Sequence, residues 1–397
     1  MRRLWVVCCC LITACQTLGH DTQTRQTGEP TQLPSVLATP VDFAGWRGEA
    51  RDAARLNEIR IGLFAPDDST HPVSGPMFKA AHLAIDQVNA SGGFEGRPFR
   101  LVSRWDHDPW RGGSKQMIKL VYEDSVWAVI GSVDGSATHI AEQVVTKAWL
   151  PLISPVSADP TLTHIRIPWM FRLPPDDEKQ AAVLVHDGIQ AASLKDVGLV
   201  TSTDHDGRIF AAEMLVRMQG GGVPPVFHLE VPLPTIDITH LARRISSFAP
   251  DALVLRLPPT AVLAMLDQLE HAGFRAPLLI PWIPGLSPTD LRGRYSGDIW
   301  YVQPFSQAGN PAYVAFARMY RDQYHTEPSP SAAYTYDAIH LLVRALRNSG
   351  LNRADLRDAI AGMDGFRGVT GTVSWDNAGG NQAQPVLEIL AGSSPLP

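Results

Sequence analysis

IRIGLFAPDDSTHPVSGPMFKAAHLAIDQVNASGGFEGRPFRLVSRW, residues 59–105, reads as strand, helix, strand, and this order decides the fold class. Ile59, Ile61 and Leu63 alternate with other residues, as a strand requires. Ser74-Gly75-Pro76 opens a helix: Ser or Gly caps it, and proline suits a first turn where its missing N–H costs nothing. Met77, Ala81, Ala84, Ile85 and Val88 then share one helical face. Gly92-Gly93 ends the helix, where a left-handed residue is needed, and residues 99–105 form the second strand.

Outward from this unit the alternation continues. Residues 113–122 read as a helix, and 126–130 as the short apolar run of a buried parallel strand. Further strands are expected at 196–200, 226–231, 251–255 and 277–280, and helices at 181–192, 208–219, 238–248 and 259–271. Three helices follow at 311–324, 332–348 and 353–363. Residues 369–375 and 385–390 read as a final strand pair around the turn Asp376-Asn377-Ala378-Gly379-Gly380. The pattern predicts an α/β protein of two doubly wound, Rossmann-like lobes. Ligands of such sheets bind beyond the carboxyl ends of the strands, here the loops after Leu63, Ile130, Ile153, Val200, Leu255 and Ile280.

The N-terminus carries a different message. Arg2 and Arg3 precede an apolar run, residues 4–14, which is too short to span a bilayer and reads as a secretory signal. Its end, Ile12-Thr13-Ala14-Cys15, resembles a bacterial lipoprotein cleavage site, with Cys15 as the lipidated residue. All four cysteines, Cys8, Cys9, Cys10 and Cys15, belong to this segment, so the body holds no disulfide. Residues 16–57 are rich in Thr, Gln, Pro and Gly and read as a flexible tether. Gln16, by resemblance to lipoproteins of two-membrane bacteria, leans towards the outer membrane. The formal net charge of -6 argues against nucleic acid as a partner.

Five stretches occur in an order that resembles one family. They are Ala84-Ile85-Asp86-Gln87-Val88-Asn89-Ala90-Ser91-Gly92-Gly93-Phe94-Glu95-Gly96-Arg97-Pro98; Ala128-Val129-Ile130-Gly131; Leu150-Pro151-Leu152-Ile153-Ser154-Pro155; Phe171-Arg172 with Asp177 and Gln180; and Ala333-Tyr334-Thr335-Tyr336-Asp337-Ala338. The chain resembles the type I periplasmic binding proteins for leucine, isoleucine and valine that serve ABC importers. The resemblance implies discontinuous lobes, 58–172 plus 303–368 and 173–302 plus 369–391. The chain would cross between them near Leu173-Pro174-Pro175, Val302-Gln303-Pro304 and Gly368-Val369.

In that family two loops of the first lobe hold the ligand carboxylate through backbone N–H groups and hydroxyls at helix N-termini. Here they correspond to Asp134, Gly135 and Ser136, and to Val156, Ser157 and Ala158. Gly135 stands where the amino-acid binders have Ser, and Ala158 where they have Thr, so the hydroxyls of Ser136 and Ser157 are shifted by one position. In the second lobe Asp206 stands in place of an aromatic contact, and Trp282 in place of the carboxylate that pairs the ligand ammonium. Either Asp206, Asp204 or Asp134 takes over that pairing, or the ligand is not an α-amino acid. Each residue has a plainer reading as well. Asp134 and Asp204 suit helix caps, Trp282 suits core packing, and Ser69, after the first strand, suits a solvated turn.

Enzyme motifs are missing: there is no nucleophile elbow, no His-Glu-x-x-His and no phosphate loop. His205 between Asp204 and Asp206 lies in a loop without fixed ligand geometry, so neither metal nor cofactor is expected. The expectation is a monomeric, non-enzymatic lipoprotein of the periplasm, anchored only by its lipid, that closes on a small polar ligand and meets an ABC permease or another envelope protein. The alternative is a sensor or regulator of the same fold acting without transport.

Overall fold

The computed structural model describes residues 56–232 and 237–392. The signal segment, Cys15 and the tether as far as residue 55 lie outside the described residues. Among the described residues no helix is long and apolar enough to cross a membrane.

The first sheet is built from β1 (Ile59–Phe64), β2 (Phe99–Arg104), β3 (Val129–Gly131), β4 (Leu152–Ser154) and β5 (Met170–Arg172). Their order is β2-β1-β3-β4-β5, and every pairing is parallel. The helix Ser74–Ala90 links β1 to β2, and its five predicted face residues are all buried. The Gly-Gly stretch that follows is a clamp. The Asn89 side chain donates to the Phe99 carbonyl at 2.9 Å and accepts from the Phe99 N–H at 2.7 Å, fixing where β2 begins. Gly93 has φ +60°, and a Cβ there would lie 2.1 Å from the Arg97 carbonyl oxygen, so no larger residue fits. The late helix Pro330–Ser349 returns to this lobe, where Tyr336 donates to the Gln87 side chain and Arg347 to the Gly93 carbonyl.

The second sheet holds β6 (Val197–Ser202), β7 (Phe227–Val231), β8 (Ala252–Arg256), β9 (Leu278–Ile280), β10 (Ile299–Gln303) and the last strand, β13 (Val386–Leu390). Its order is β13-β10-β9-β8-β6-β7. Only β13 runs antiparallel, Ile299 facing Leu390. β6, β8 and β9 are buried along their whole length, as parallel strands covered on both faces must be.

Two expectations need correcting. The final strand pair does not form. β12 (Gly371–Val373) pairs with β11 (Phe366–Gly368), while β13 pairs with β10. The chain pairs only close to the turn, where Trp375 bridges Asn381 and the Gln382 N–H donates to the Ser374 carbonyl. The edge of β10 offers β13 a longer ladder than the short β12 does. The helix expected from residue 181 starts earlier, at Asp177, because Asp176 accepts the Lys179 N–H and caps it.

Candidate functional site

The strand ends of both sheets open onto one cavity of about 420 Å³, a size suited to a small molecule. The loop after β1 supplies His71, Pro72 and Val73, and the loop after β3 supplies Val133, Asp134 and Ser136. From the second sheet come Asp204, His205 and Asp206 after β6, Arg256 with Pro258 and Pro259 at the end of β8, and Ile283 and Pro284 after β9.

Helix capping positions the acids. Asp134 accepts the Ala137 N–H at 2.7 Å and caps the helix Gly135–Ala148. Asp204 accepts the Gly207 N–H at 2.8 Å and caps the helix His205–Gly220. Both acids therefore cap and also line the cavity. Asp206 reaches across from the second sheet to accept the Gly135 N–H at 3.1 Å, placing an anion at the positive end of the opposite helix. Arg256 lies 3.9 Å from the other Asp206 oxygen.

The electrostatics follow from burial and crowding. Burial, then the Asp134 charge, pushes Asp206 up to about 6. Burial raises Asp134 too, opposed by its cap bond and His205. Burial lowers His71, which favours its neutral form. Asp177, fully enclosed behind Arg256 and Asp206, is held well above the ordinary carboxylate range by burial.

Four of the sequence-derived residues, Asp134, Ser136, Asp204 and Asp206, thus meet at the cavity, with Gly135 bonded to Asp206. The others do not line it. Val156 and Ser157 are buried, the Ser157 hydroxyl accepting the Asp159 N–H, and the Ala158 carbonyl accepts the Asp177 N–H. Ser69 lies exposed in the β1 loop, and it is His71 to Val73 that turn inwards. Trp282 is 1% exposed and packs at 6.1 Å from the Tyr334 ring. Its backbone N–H donates to the Gln180 side-chain oxygen at 2.8 Å, which sets Ile283 and Pro284 at the cavity wall.

Sequence reasoning missed His71, Arg256, His139 and Asp159. Asp159, in the loop after β4, accepts His139 Nε2 at 3.0 Å and His205 Nε2 at 2.6 Å on its Oδ2. That contact joins loops of the two sheets at the cavity's edge. Burial opposes ionisation of Asp159, but these bonds outweigh it and hold the carboxyl far below its usual range. The available signal was position: Asp159 and His205 both follow strand ends.

Comparison with known proteins agrees with this architecture. The amino acid binding protein of Pseudomonas aeruginosa is 23% identical over 331 residues, covering 82% of this chain and 87% of that protein. The crystal structure of the branched-chain amino acid transporter substrate binding protein LivJ from Streptococcus pneumoniae, in complex with isoleucine, is 24% identical with a TM-score of 0.73, covering 82% of this chain and 93% of that one. An ABC transporter solute binding protein from R. palustris, in complex with benzoate, is 19% identical with a TM-score of 0.73, covering 85% of this chain and 94% of that one. The fold is that of the type I periplasmic binding proteins. The periplasmic binding protein family model matches residues 58–389, and the chain belongs to that family.

Proposed function

We propose that this protein is an extracytoplasmic solute-binding lipoprotein, anchored through Cys15, that closes on a small polar solute carrying a cationic group and presents it to an ABC importer. Amino acids, amides and related metabolites are the ligand classes in view. The observation that carries the reading is the convergence of Asp134, Asp204 and Asp206, from loops of both sheets, on one cavity. A solute cation among them is bound by both lobes at once and therefore stabilises the closed form. The lobes comprise residues 58–172 plus 303–368 and 173–302 plus 369–391, a division supported by the two separate sheets.

The anion subsite at Gly135 supports a further distinction. Its N–H, which by family resemblance would meet a ligand carboxylate, already donates to Asp206. A ligand with a carboxylate has to displace Asp206 there, whereas a purely cationic or amide ligand does not. No covalent chemistry is involved, and relatives from the same family, such as the Leu/Ile/Val-binding protein homolog 8 of Brucella abortus, are named as binding proteins.

A thermal-shift screen against amino acids, amides, amines, small carboxylates and aromatic solutes tests this. A true ligand at 100 times its Kd adds about 2.7 kcal/mol of stability. The expected hit carries a cationic group and is lost in Asp206→Ala. A hit indifferent to alanine at Asp134, Asp204 and Asp206 would sink the assignment.

A further inference from the structure

We propose that His139, Asp159 and His205 form a binding site for a divalent transition-metal ion of the zinc class, spanning the two lobes at the edge of the solute cavity. One ligand atom from each of His139, Asp159 and His205 lies within 4.8 Å of the other two, and both histidine Nε2 atoms contact Asp159 Oδ2. Two imidazole nitrogens and one carboxylate oxygen are a donor set that zinc accepts, leaving a fourth position open. Tetrahedral zinc with bonds of about 2.0–2.1 Å needs ligand atoms roughly 3.3 Å apart. The contacts to Asp159 Oδ2, at 3.0 Å and 2.6 Å, reach that separation by moving outward by less than an ångström.

The surroundings orient these donors as ligands require. Asp159 Oδ1 is occupied by the Thr161 N–H at 2.8 Å and hydroxyl at 2.6 Å, which aims Oδ2 at the two histidines. Glu142 Oε2 sits 3.0 Å from His139 Nδ1 and holds a proton there, so Nε2 coordinates after giving up the hydrogen it donates to Asp159, as His205 Nε2 also must. The same carboxylate is 2% exposed and its Oε1 has no hydrogen-bond partner. The Thr161 hydroxyl, also 3.0 Å from His139 Nε2, has to yield that contact when a metal binds. His205 comes from the helix after β6, whereas His139 and Asp159 come from elements after β3 and β4. A bound ion is therefore coordinated fully in the closed form alone, and one of its ligands, His205, also lines the solute cavity.

Equilibrium dialysis of the untagged full chain against Zn2+, with the four cysteines alkylated, tests the site. The expected result is one Zn2+ per chain, affinity at least tenfold weaker in His205→Gln and in His139→Gln, and no change in His186→Gln, an exposed histidine outside the cluster. No retained Zn2+, or retention equal in wild type and both histidine variants, overturns the proposal and leaves a hydrogen-bonded latch without metal. The solute reading is tested separately, since Asp206→Ala keeps all three ligands.

Discussion

Gly135 shows how one side chain governs contact between the lobes. A Cβ at this position would stand 2.6 Å from Asp206 Oδ1, 2.9 Å from His205 Cδ2 and 3.1 Å from Asp159 Oδ2. The family's usual serine cannot coexist with these three side chains where they are. Those atoms belong to side chains that can retreat, so Gly135→Ser should fold. We expect it to lose the Asp206 contact, with stability in urea unfolding lowered by about 1.5–3 kcal/mol, the contribution of a hydrogen bond to a charged group. A crystal structure of the variant in which Asp206 still accepts the residue 135 N–H contradicts this. The substitution was legible in the sequence, but its cause was not: Asp206 and Asp159 are distant along the chain, and nothing local says they share a space. For the same reason His71, Arg256 and Asp159 escaped notice, whereas the capping acids Asp134 and Asp204 stood out beside helix starts. Asp337 offers a pH test at this scale. Burial raises its carboxyl to about 6, although Thr370 and Val369 donate to it. With an unfolded value near 3.8, the native state holds this proton more tightly. Stability from Asp337 is full below about pH 4 and is lost as pH rises through about 6, on the order of 3 kcal/mol for two units. Denaturant titrations at pH 4 and 6.5 should show a smaller difference in Asp337→Asn than in the wild type.

Elements were most legible where local chemistry marks both ends. The helices Ile238–Phe248, Pro259–His271 and Pro311–Tyr324 match their expected bounds. Two of them begin with proline in the first turn, and two are capped by Asp237 and Asn310. The last strands were misread because a strand's partner is chosen by tertiary neighbours, and periodicity does not say which edge is open. Around those strands the close approach of Gly368 to the helix Pro330–Ser349 matters. Asp337, on that helix, accepts the Val369 N–H at 2.7 Å and the Thr370 N–H at 2.8 Å. A Cβ on Gly368 would lie 2.3 Å from Asp337 Oδ2, and a carboxylate held by these bonds cannot retreat cheaply. Gly368→Ala should therefore destabilise the fold by about 1–3 kcal/mol, as overpacking does. Urea unfolding measures it, and an unchanged midpoint refutes the argument. Gly368 adjoins one of the proposed crossings between the lobes, so the same variant should also alter ligand affinity.

At the scale of the molecule, two direct contacts join loops of the opposing sheets without any solute: Asp206 with the Gly135 N–H, and His205 with Asp159. A charge-assisted hydrogen bond contributes about 1.5–3 kcal/mol, and each 1.4 kcal/mol is tenfold in a population ratio. These contacts therefore bias the free protein towards the closed form before ligand arrives. Closing alone raises affinity, because less of the closure has to be driven by the solute. Removing both contacts with His205→Ala and Asp206→Ala should let the lobes part. In the presence of a chelator, solution scattering of this double variant should give a larger radius of gyration than the wild type. The single variant His205→Ala, which keeps the Asp206 contact, should fall between them. Equal radii for all three would mean that the apolar surfaces of the cleft hold the lobes together and that the polar contacts merely accompany closure. A wild type that remains compact while only the double variant expands would assign the resting shape to these side chains.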